Sequence, residues 1–182
     1  MQWVNSEKQF GFLTKLLHWS IFIIFVAQYF LVYRREYFPK EAPEKLQYIL
    51  LHKSLGVCVL LLALFMIFWR HLGKRPPAPP KMSKLQVYGS RFIHMLLYLS
   101  MLVMPLSGIA MSQLSGKSIW VFGGLQLPKM FDENKSLADV FYYLHLYSSY
   151  VIIGLVSLHV LAALYHHFID KDDVLKRMSF GH

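Results

Sequence analysis

Four long apolar segments dominate the chain, at about residues 16–33, 49–69, 92–111 and 140–168. Each has about the ~20 residues that an α-helix needs to cross ~30 Å of hydrocarbon. None alternates between apolar and polar residues over ten positions, as a membrane β-strand would. Because backbone groups in lipid must be hydrogen-bonded within the membrane, we predict four membrane-spanning helices. The fourth segment is longer than a bilayer requires, so we expect it to tilt or to project beyond the membrane.

The polar segments predict three connections and a C-terminal tail. Residues 34–48 form a short polar loop, and residues 70–91 form a basic loop that cannot be helical through its PPAPP stretch. Residues 112–139 contain the turn signals SGK, FGG and LPK and form the longest loop. The tail is charged. We therefore interpret residues 1–182 as one all-α transmembrane domain, an integral membrane four-helix bundle.

Composition supports a membrane protein and excludes several other classes. Hydrophobic residues make up 55% of the chain and charged residues only 16%, against roughly 25% charged residues in soluble domains. These fractions exclude disordered, collagen-like and coiled-coil chains. The single cysteine, Cys58, excludes a disulfide framework, a CxxC pair and covalent CxxCH haem attachment. No nucleotide-binding glycine motif is present, so we do not expect direct oxidation of NAD(P)H.

The formal net charge of +9 helps to orient the bundle. On a soluble chain it would suggest a nucleic-acid partner, but on a membrane chain it indicates positive cytoplasmic loops. With the N-terminus inside, the inner side receives most of the 19 basic residues. We therefore expect no nucleic-acid partner, and a multi-pass protein of the bacterial inner (cytoplasmic) membrane with both termini in the cytoplasm. The first apolar segment is too long for a signal peptide and is read as a retained span.

Five histidines fall within the apolar segments, where an ionisable residue is costly and is a functional hypothesis by default. They are His18, His52, His94, His145 and His159. Acidic residues are almost absent from the same segments, so a carboxylate proton relay has no members. Neutral imidazoles without acidic partners favour ligation of a metal centre. The alternative for any one of them is a hydrogen bond between helices.

The spacing of two histidines on the fourth segment indicates the kind of centre. His145 and His159 lie on nearly the same helix face but ~21 Å apart along the axis, so one metal ion cannot contact both. By topology, His18 lies level with His159 near the inner side, and His52 lies level with His145 near the outer side. Bis-histidine haem b needs one histidine on each side of a flat macrocycle and no cysteine, so we predict two such centres. Gly56, one turn after His52, would leave room for a porphyrin or serve ordinary helix packing.

Three further histidines are candidates for other roles. His94 lies near the inner end of the third segment and competes with His18 for the inner centre. Bulky residues follow it, which favours a place beside the centre or near a quinone, with plain packing as the alternative. His166 and His167 lie where the fourth segment leaves the membrane. We interpret them as interfacial residues, with contact to a haem propionate or a quinone as the alternative.

Several motifs together resemble the prokaryotic cytochrome b561 family, which is related to the membrane cytochrome b subunits of nickel hydrogenases and formate dehydrogenases. They are LLHW (16–19), ILLHKSLG (49–56), RFIHMLLY (91–98), KSIWVFGGLQLP (117–128) and HHFIDKDDVLKRM (166–178), with the His145/His159 pair. The resemblance covers nearly the whole chain. It implies a four-helix membrane bundle holding two b-type haems. It also implies the haem iron ligands, His18 with His159 at the inner haem and His52 with His145 at the outer one.

The resemblance further implies electron transfer with a membrane quinone, and one branch of the family is described as oxidising superoxide and reducing ubiquinone. We therefore expect a quinone-linked oxidoreductase, a candidate superoxide oxidase, fed by a periplasmic one-electron donor. By analogy with the related subunits, we expect the quinone on the inner side near His159, His94 and Arg91. Lys53, beside His52, and lysines of the outer loop would attract an anionic donor. The alternatives are a periplasmic redox protein as donor or a haem-free four-span membrane subunit.

Overall fold

The computed structural model describes residues 2–80 and 82–180, which form four long helices as the hydropathy predicts. These helices are α1 (Phe12–Arg35), α2 (Pro43–Leu72), α3 (Lys84–Leu114) and α4 (Lys135–Tyr165). Each is long and apolar enough to cross a membrane. The fold is therefore the predicted all-α bundle. We call the end that carries both chain termini the terminal end, and the opposite end the hairpin end.

All four helices begin before the apolar segments that predicted them. Helix α2 begins at Pro43, inside the predicted polar loop, and α3 begins at Lys84, inside the predicted basic loop. Proline suits the first helical turn because its missing N–H would be unpaired there. The Ser83 side chain caps α3 by accepting a hydrogen bond from the backbone N–H of Gln86 at 3.2 Å. Local capping chemistry sets these helix ends, and hydropathy does not detect it. The PPAPP stretch is non-helical, as predicted.

Consecutive helices are neighbours, with α1 on α2, α2 on α3 and α3 on α4. Helix α4 meets α1 through side chains, and the Tyr29 hydroxyl donates to the backbone carbonyl of Ser149 at 2.6 Å. Large apolar side chains on the helices, such as Ile23, Leu61 and Leu161, are exposed on the outside of the bundle. In a membrane such side chains contact lipid tails, so their exposure carries no hydrophobic cost.

The long connection between α3 and α4 is more ordered than the predicted loop. It contains an antiparallel hairpin of β1 (Trp120–Val121) and β2 (Leu125–Gln126). At its turn, Phe122 and Gly123 have positive φ values of 49° and 73°, which glycine adopts freely and phenylalanine rarely. The hydroxyl of Ser54, buried in α2, accepts a hydrogen bond from the backbone N–H of Phe122 at 2.9 Å. This bond ties the hairpin to α2 two residues after His52.

The C-terminal tail folds back onto α1 at the terminal end. Helix α4 ends in a π-helical turn (His166–Asp170), and a short helix, α5 (Val174–Met178), follows. Lys15 is only 5% exposed and its ammonium group donates to the carbonyl of Ser179 at 2.7 Å. Trp19 donates from its indole nitrogen to the carbonyl of Met178 at 2.9 Å. The charged tail is thus a partly helical segment that closes this end of the bundle.

Candidate functional site

His52 of α2 and His145 of α4 face one another toward the hairpin end. Their ring centroids are 6.1 Å apart, and the ring planes lie at 84°. Two metal–nitrogen bonds of about 2 Å each account for about 4 Å of this separation. About 1 Å remains for each ring, which is roughly the distance from a ligating nitrogen to the centre of its ring. The spacing therefore suits one iron atom between the two imidazoles.

Helix α3 fixes which ring nitrogen of His145 is free. Its Nδ1 lies 2.9 Å from the backbone carbonyl oxygen of Met104 and 3.1 Å from the hydroxyl of Ser107. Because a carbonyl only accepts hydrogen bonds, Nδ1 carries the proton and Nε2 keeps its lone pair. Gly108 lies against the same ring, where a Cβ atom would come within 3.1 Å of Cε1. The contacts hold His145 in the tautomer that a metal ligand needs.

Toward the terminal end, His18, His94 and His159 form a cluster contributed by α1, α3 and α4. The ring centroids of His18 and His159 are 6.1 Å apart, the same separation as in the other pair. The centroids of His94 and His159 are 5.1 Å apart, too close for two in-line metal–nitrogen bonds of about 2 Å each. Nδ1 of His94 donates to the carbonyl of Ser90 at 2.6 Å. His94 therefore lies beside the His18–His159 pair.

Both sites contain imidazole nitrogens that the protein leaves unpaired. Among the described residues, Nδ1 of His18 and Nδ1 of His52 are buried and make no hydrogen bond. Buried polar atoms usually have a partner, and leaving one without costs about 1–3 kcal/mol. Each of these histidines belongs to one of the 6.1 Å pairs. Each pair therefore offers two imidazoles and no charged donor, and this all-imidazole donor set suits haem iron.

Arg91 and His166, two of the residues predicted to lie near a quinone, are found at the terminal half of the bundle. Arg91 is exposed on α3, and its guanidinium lies 5.8 Å from the ring centroid of Tyr88. His166 is buried in the π-helical turn, with Nδ1 2.7 Å from a carboxylate oxygen of Asp172 and 3.2 Å from one of Asp170. Asp170 is the last residue of the fourth candidate span and Asp172 follows it, so both carboxylates lie at the end of the span.

The predicted cationic residues at the hairpin end differ in their surroundings. Lys53 is half-buried beside His52, and Lys117 of the long connection is near enough to act on it electrostatically. Lys129 instead pairs with the exposed carboxylate of Asp132 at 3.2 Å. Among the described residues, neither Lys53 nor Lys117 has a carboxylate oxygen within 4.0 Å, so these two cations favour an anion more than the paired Lys129 does.

The sequence analysis did not identify Gln28, which connects α1 to the His52 region of α2. Its side-chain Nε2 donates to the backbone carbonyl of His52 at 3.1 Å. A Cβ at Gly56 would lie 3.5 Å from the same Nε2. This is an ordinary van der Waals distance, so Gly56 lies at the contact between α1 and α2 without being required there by size. A polar amide within an apolar segment was the signal that could have found Gln28.

Facing histidines from different helices of a membrane bundle, without a CxxCH motif, are typical of membrane-bound b-type cytochromes. Comparison of the sequence with protein families agrees with this class. The sequence model of the family described as prokaryotic cytochrome b561 matches residues 9–181. The chain belongs to this family, whose members are haem b proteins that transfer electrons at membranes.

Curated relatives cover nearly the whole chain. The chain is 31% identical over 184 residues to "Cytochrome b561 homolog 2" of Escherichia coli (strain K12), covering 98% of this chain and 95% of the relative. It is 30% identical over 164 residues to "Cytochrome b561 homolog 1" of the same strain, covering 89% and 92%. It is 29% identical over 172 residues to "Probable superoxide oxidase CybB" of Yersinia pestis, covering 94% and 96%. The family predicted from the motifs is confirmed.

Proposed function

We propose that this protein is a di-haem cytochrome that transfers electrons across the bacterial inner membrane between a periplasmic donor and the quinone pool. The observation that carries the proposal is the equal 6.1 Å separation of two histidine pairs, His18 with His159 and His52 with His145. Each pair would hold one haem b, whose iron supplies one-electron chemistry. Because histidine would fill both axial positions, outer-sphere electron transfer is favoured over binding of O₂.

The proposed orientation places the terminal end in the cytoplasm. The segment from 70 to 91 carries six basic residues, and basic residues concentrate in short cytoplasmic loops. The His18–His159 pair then lies toward the cytoplasm, and the His52–His145 pair lies toward the periplasm. Electrons entering from the periplasm would therefore meet the His52–His145 site first.

The proposed acceptor is ubiquinone, bound at the cytoplasmic boundary near His159, His94 and Arg91. His94 supports this location because it lies beside the His18–His159 pair with its Nδ1 bonded to Ser90. A quinone-analogue inhibitor should perturb the spectrum or potential of the inner haem. An inhibitor that perturbs only the outer haem would place the quinone at the periplasmic side instead.

The proposed donor is superoxide. The name of the Yersinia relative and the two lysines at the hairpin end, Lys53 and Lys117, support this choice. Two superoxide anions would each lose one electron to become O₂, and one quinone would take up both electrons and two protons to become quinol. A periplasmic redox protein is the second candidate donor, since outer-sphere electron transfer does not require a small molecule.

The experiment that tests the proposal is a dithionite-reduced-minus-oxidised spectrum with a pyridine haemochrome count. We expect two noncovalent haems b per chain. His52→Ala or His145→Ala should remove one haem and leave the other largely in place, and His71→Ala, a change at an exposed histidine, should remove neither. A chain without haem would be a haem-free membrane subunit. Equal loss of both haems from a normally folded His52→Ala variant would contradict separate sites.

A further inference from the structure

A small cavity lies between α1, α2 and α3 near the terminal end. Its lining includes Thr14, Trp69, Arg70 and Tyr98, and its volume is about 40 Å³. On this measure a single water needs roughly 10–15 Å³. The cavity therefore accommodates a group of a few heavy atoms, such as a carboxylate, and is too small for a quinone ring.

The cavity carries positive charge without a paired carboxylate among the described residues. The half-buried guanidinium of Arg70 donates to the Tyr98 hydroxyl at 3.0 Å and lies 4.8 Å from the centroid of the same ring. Among the described residues, no carboxylate oxygen lies within 4.0 Å of it. Arg75 donates to the backbone carbonyl of Arg70 at 3.1 Å and adds a second positive charge. A guanidinium stays protonated, so a site with these residues favours an anionic oxygen group.

The cavity adjoins the cluster of His18, His94 and His159. Thr14 precedes His18 by one turn on α1, and Tyr98 follows His94 by one turn on α3, so each shares a helix face with its histidine. Polar side chains line part of the cavity, where Trp69 donates to the Thr14 hydroxyl at 3.0 Å and this hydroxyl donates to Asn5 at 2.7 Å.

We propose that Arg70 and Tyr98 bind a propionate carboxylate of the haem held by His18 and His159. The inference rests on the proposed function, since it requires a haem at this pair. Guanidinium and carboxylate form short, charge-assisted hydrogen bonds, and the cavity matches the size of one carboxylate group. A fixed positive charge at this place stabilises the reduced haem relative to the oxidised one, because reduction removes one positive charge from the site.

The test is a potentiometric titration that resolves the two haems of the purified holoprotein in phospholipid nanodiscs. In Arg70→Gln we expect the inner haem's reduction equilibrium to shift about tenfold toward the oxidised form, which is about 59 mV for one electron. The outer haem should keep its potential. Arg70→Lys should retain most of the inner potential because it keeps the charge. Tyr98→Phe removes the hydroxyl that Arg70 contacts. We expect it to lower the potential of the inner haem as well, but by less than Arg70→Gln does.

Lys74→Gln is the matched control, since it removes one exposed cation that pairs with Glu7 at 3.2 Å. It should leave both potentials unchanged. An unchanged inner potential in Arg70→Gln with both haems bound would overturn the inference, as would an equal shift in Arg70→Lys. If a lipid phosphate occupied the cavity instead of a propionate, replacing phospholipid with detergent would shift the reduction potential of the inner haem in the wild-type protein. That result would also overturn the inference. If Arg70→Gln does not fold, Tyr98→Phe decides. A wild-type chain without two haems would contradict the proposed function itself.

Discussion

Single contacts from the backbone decide which nitrogen of an intramembrane histidine is available. His145 and His94 each direct Nδ1 at a main-chain carbonyl, of Met104 and Ser90 respectively. A carbonyl oxygen can only accept a proton, so both rings keep the Nε2 lone pair that a metal requires. The tautomer alone therefore does not distinguish a histidine that binds iron from one that only lies beside the site. The distances between ring centroids do distinguish them, because His18 lies 6.1 Å from His159 and His94 lies 5.1 Å from it.

We predict that His18→Ala removes the inner haem and that His94→Ala keeps it. Only the His18–His159 separation leaves space for an iron atom in line with both rings. The measurement is the haem count together with the low-spin bis-histidine electron paramagnetic resonance signal of each variant. If His94→Ala abolished the inner haem while His18→Ala kept its bis-histidine signal, our assignment of ligands would be wrong.

Gly108→Ala should weaken haem binding at the outer site. The added methyl group would lie 3.1 Å from Cε1 and 3.3 Å from Nδ1 of His145, so the ring must move. Overpacking costs about 1–3 kcal/mol, or roughly a 5- to 150-fold loss of haem affinity. Haem titration of the apoprotein measures the loss. Gly89→Ala on the same helix is the control, because nothing lies within 4 Å of its added methyl. Equal haem affinity in the two variants would contradict the prediction.

At the scale of secondary-structure elements, the hairpin and the long helices differ in how they are held. The helices form their hydrogen bonds within themselves, so a membrane stabilises each one without help from its neighbours. The two short strands cannot bury a hydrophobic face of their own, and an isolated hairpin is marginally stable. The hairpin therefore depends on α2, where Ser54 accepts from Phe122 at 2.9 Å.

We predict that Ser54→Ala loosens the hairpin. Loss of the hydroxyl removes the acceptor of a part-buried hydrogen bond, which contributes about 0.5–1.5 kcal/mol. Hydrogen exchange at the Phe122 amide should accelerate, and the unfolding midpoint should fall. Ser118→Ala is the control, because its exposed hydroxyl accepts a hydrogen bond from Gln126 at 3.1 Å, and surface changes usually stay within about 0.5 kcal/mol. Unchanged exchange at Phe122 in Ser54→Ala would show that the strands hold the turn unaided.

At the scale of the whole molecule, the bundle separates two histidine sites along α4. The ~21 Å between His145 and His159 follows from fourteen helical steps. A charged donor cannot easily enter lipid, so it must react at a rim of the bundle. The proposed periplasmic rim is the hairpin end, which carries Lys53 and Lys117 and where Lys129 is paired with Asp132.

Superoxide should reduce the oxidised protein faster at low salt than at high salt. Cations at the rim raise the local concentration of an anion, and salt screens this effect over ~10 Å at 0.1 M. Stopped-flow mixing at two ionic strengths measures the rate. Lys53→Gln or Lys117→Gln should slow it several-fold at low salt, and Lys129→Gln should slow it less. Haem reduction no faster than spontaneous dismutation would remove superoxide as the donor. A salt-independent rate would contradict only the attraction by lysines.

Most of the architecture was predictable from local properties of the sequence. A run of apolar residues determines a spanning helix because the bilayer acts on each segment separately. Helical periodicity likewise places His145 and His159 on one face without knowledge of the neighbours. The helix ends were less predictable, since Pro43 and Ser83 extend α2 and α3 into segments that hydropathy reads as loops.

The sequence by itself therefore determined four spans, the family, and a set of intramembrane histidines at two depths. Only the tertiary structure decided how close His18 and His94 each come to His159, and that Met104 and Gly108 fix the His145 ring. It also brought Arg70 of α2 onto Tyr98 of α3. The physical reason is that these contacts depend on how each helix is rotated and packed against another. Side chains distant along the chain set that rotation together, so no local pattern records it.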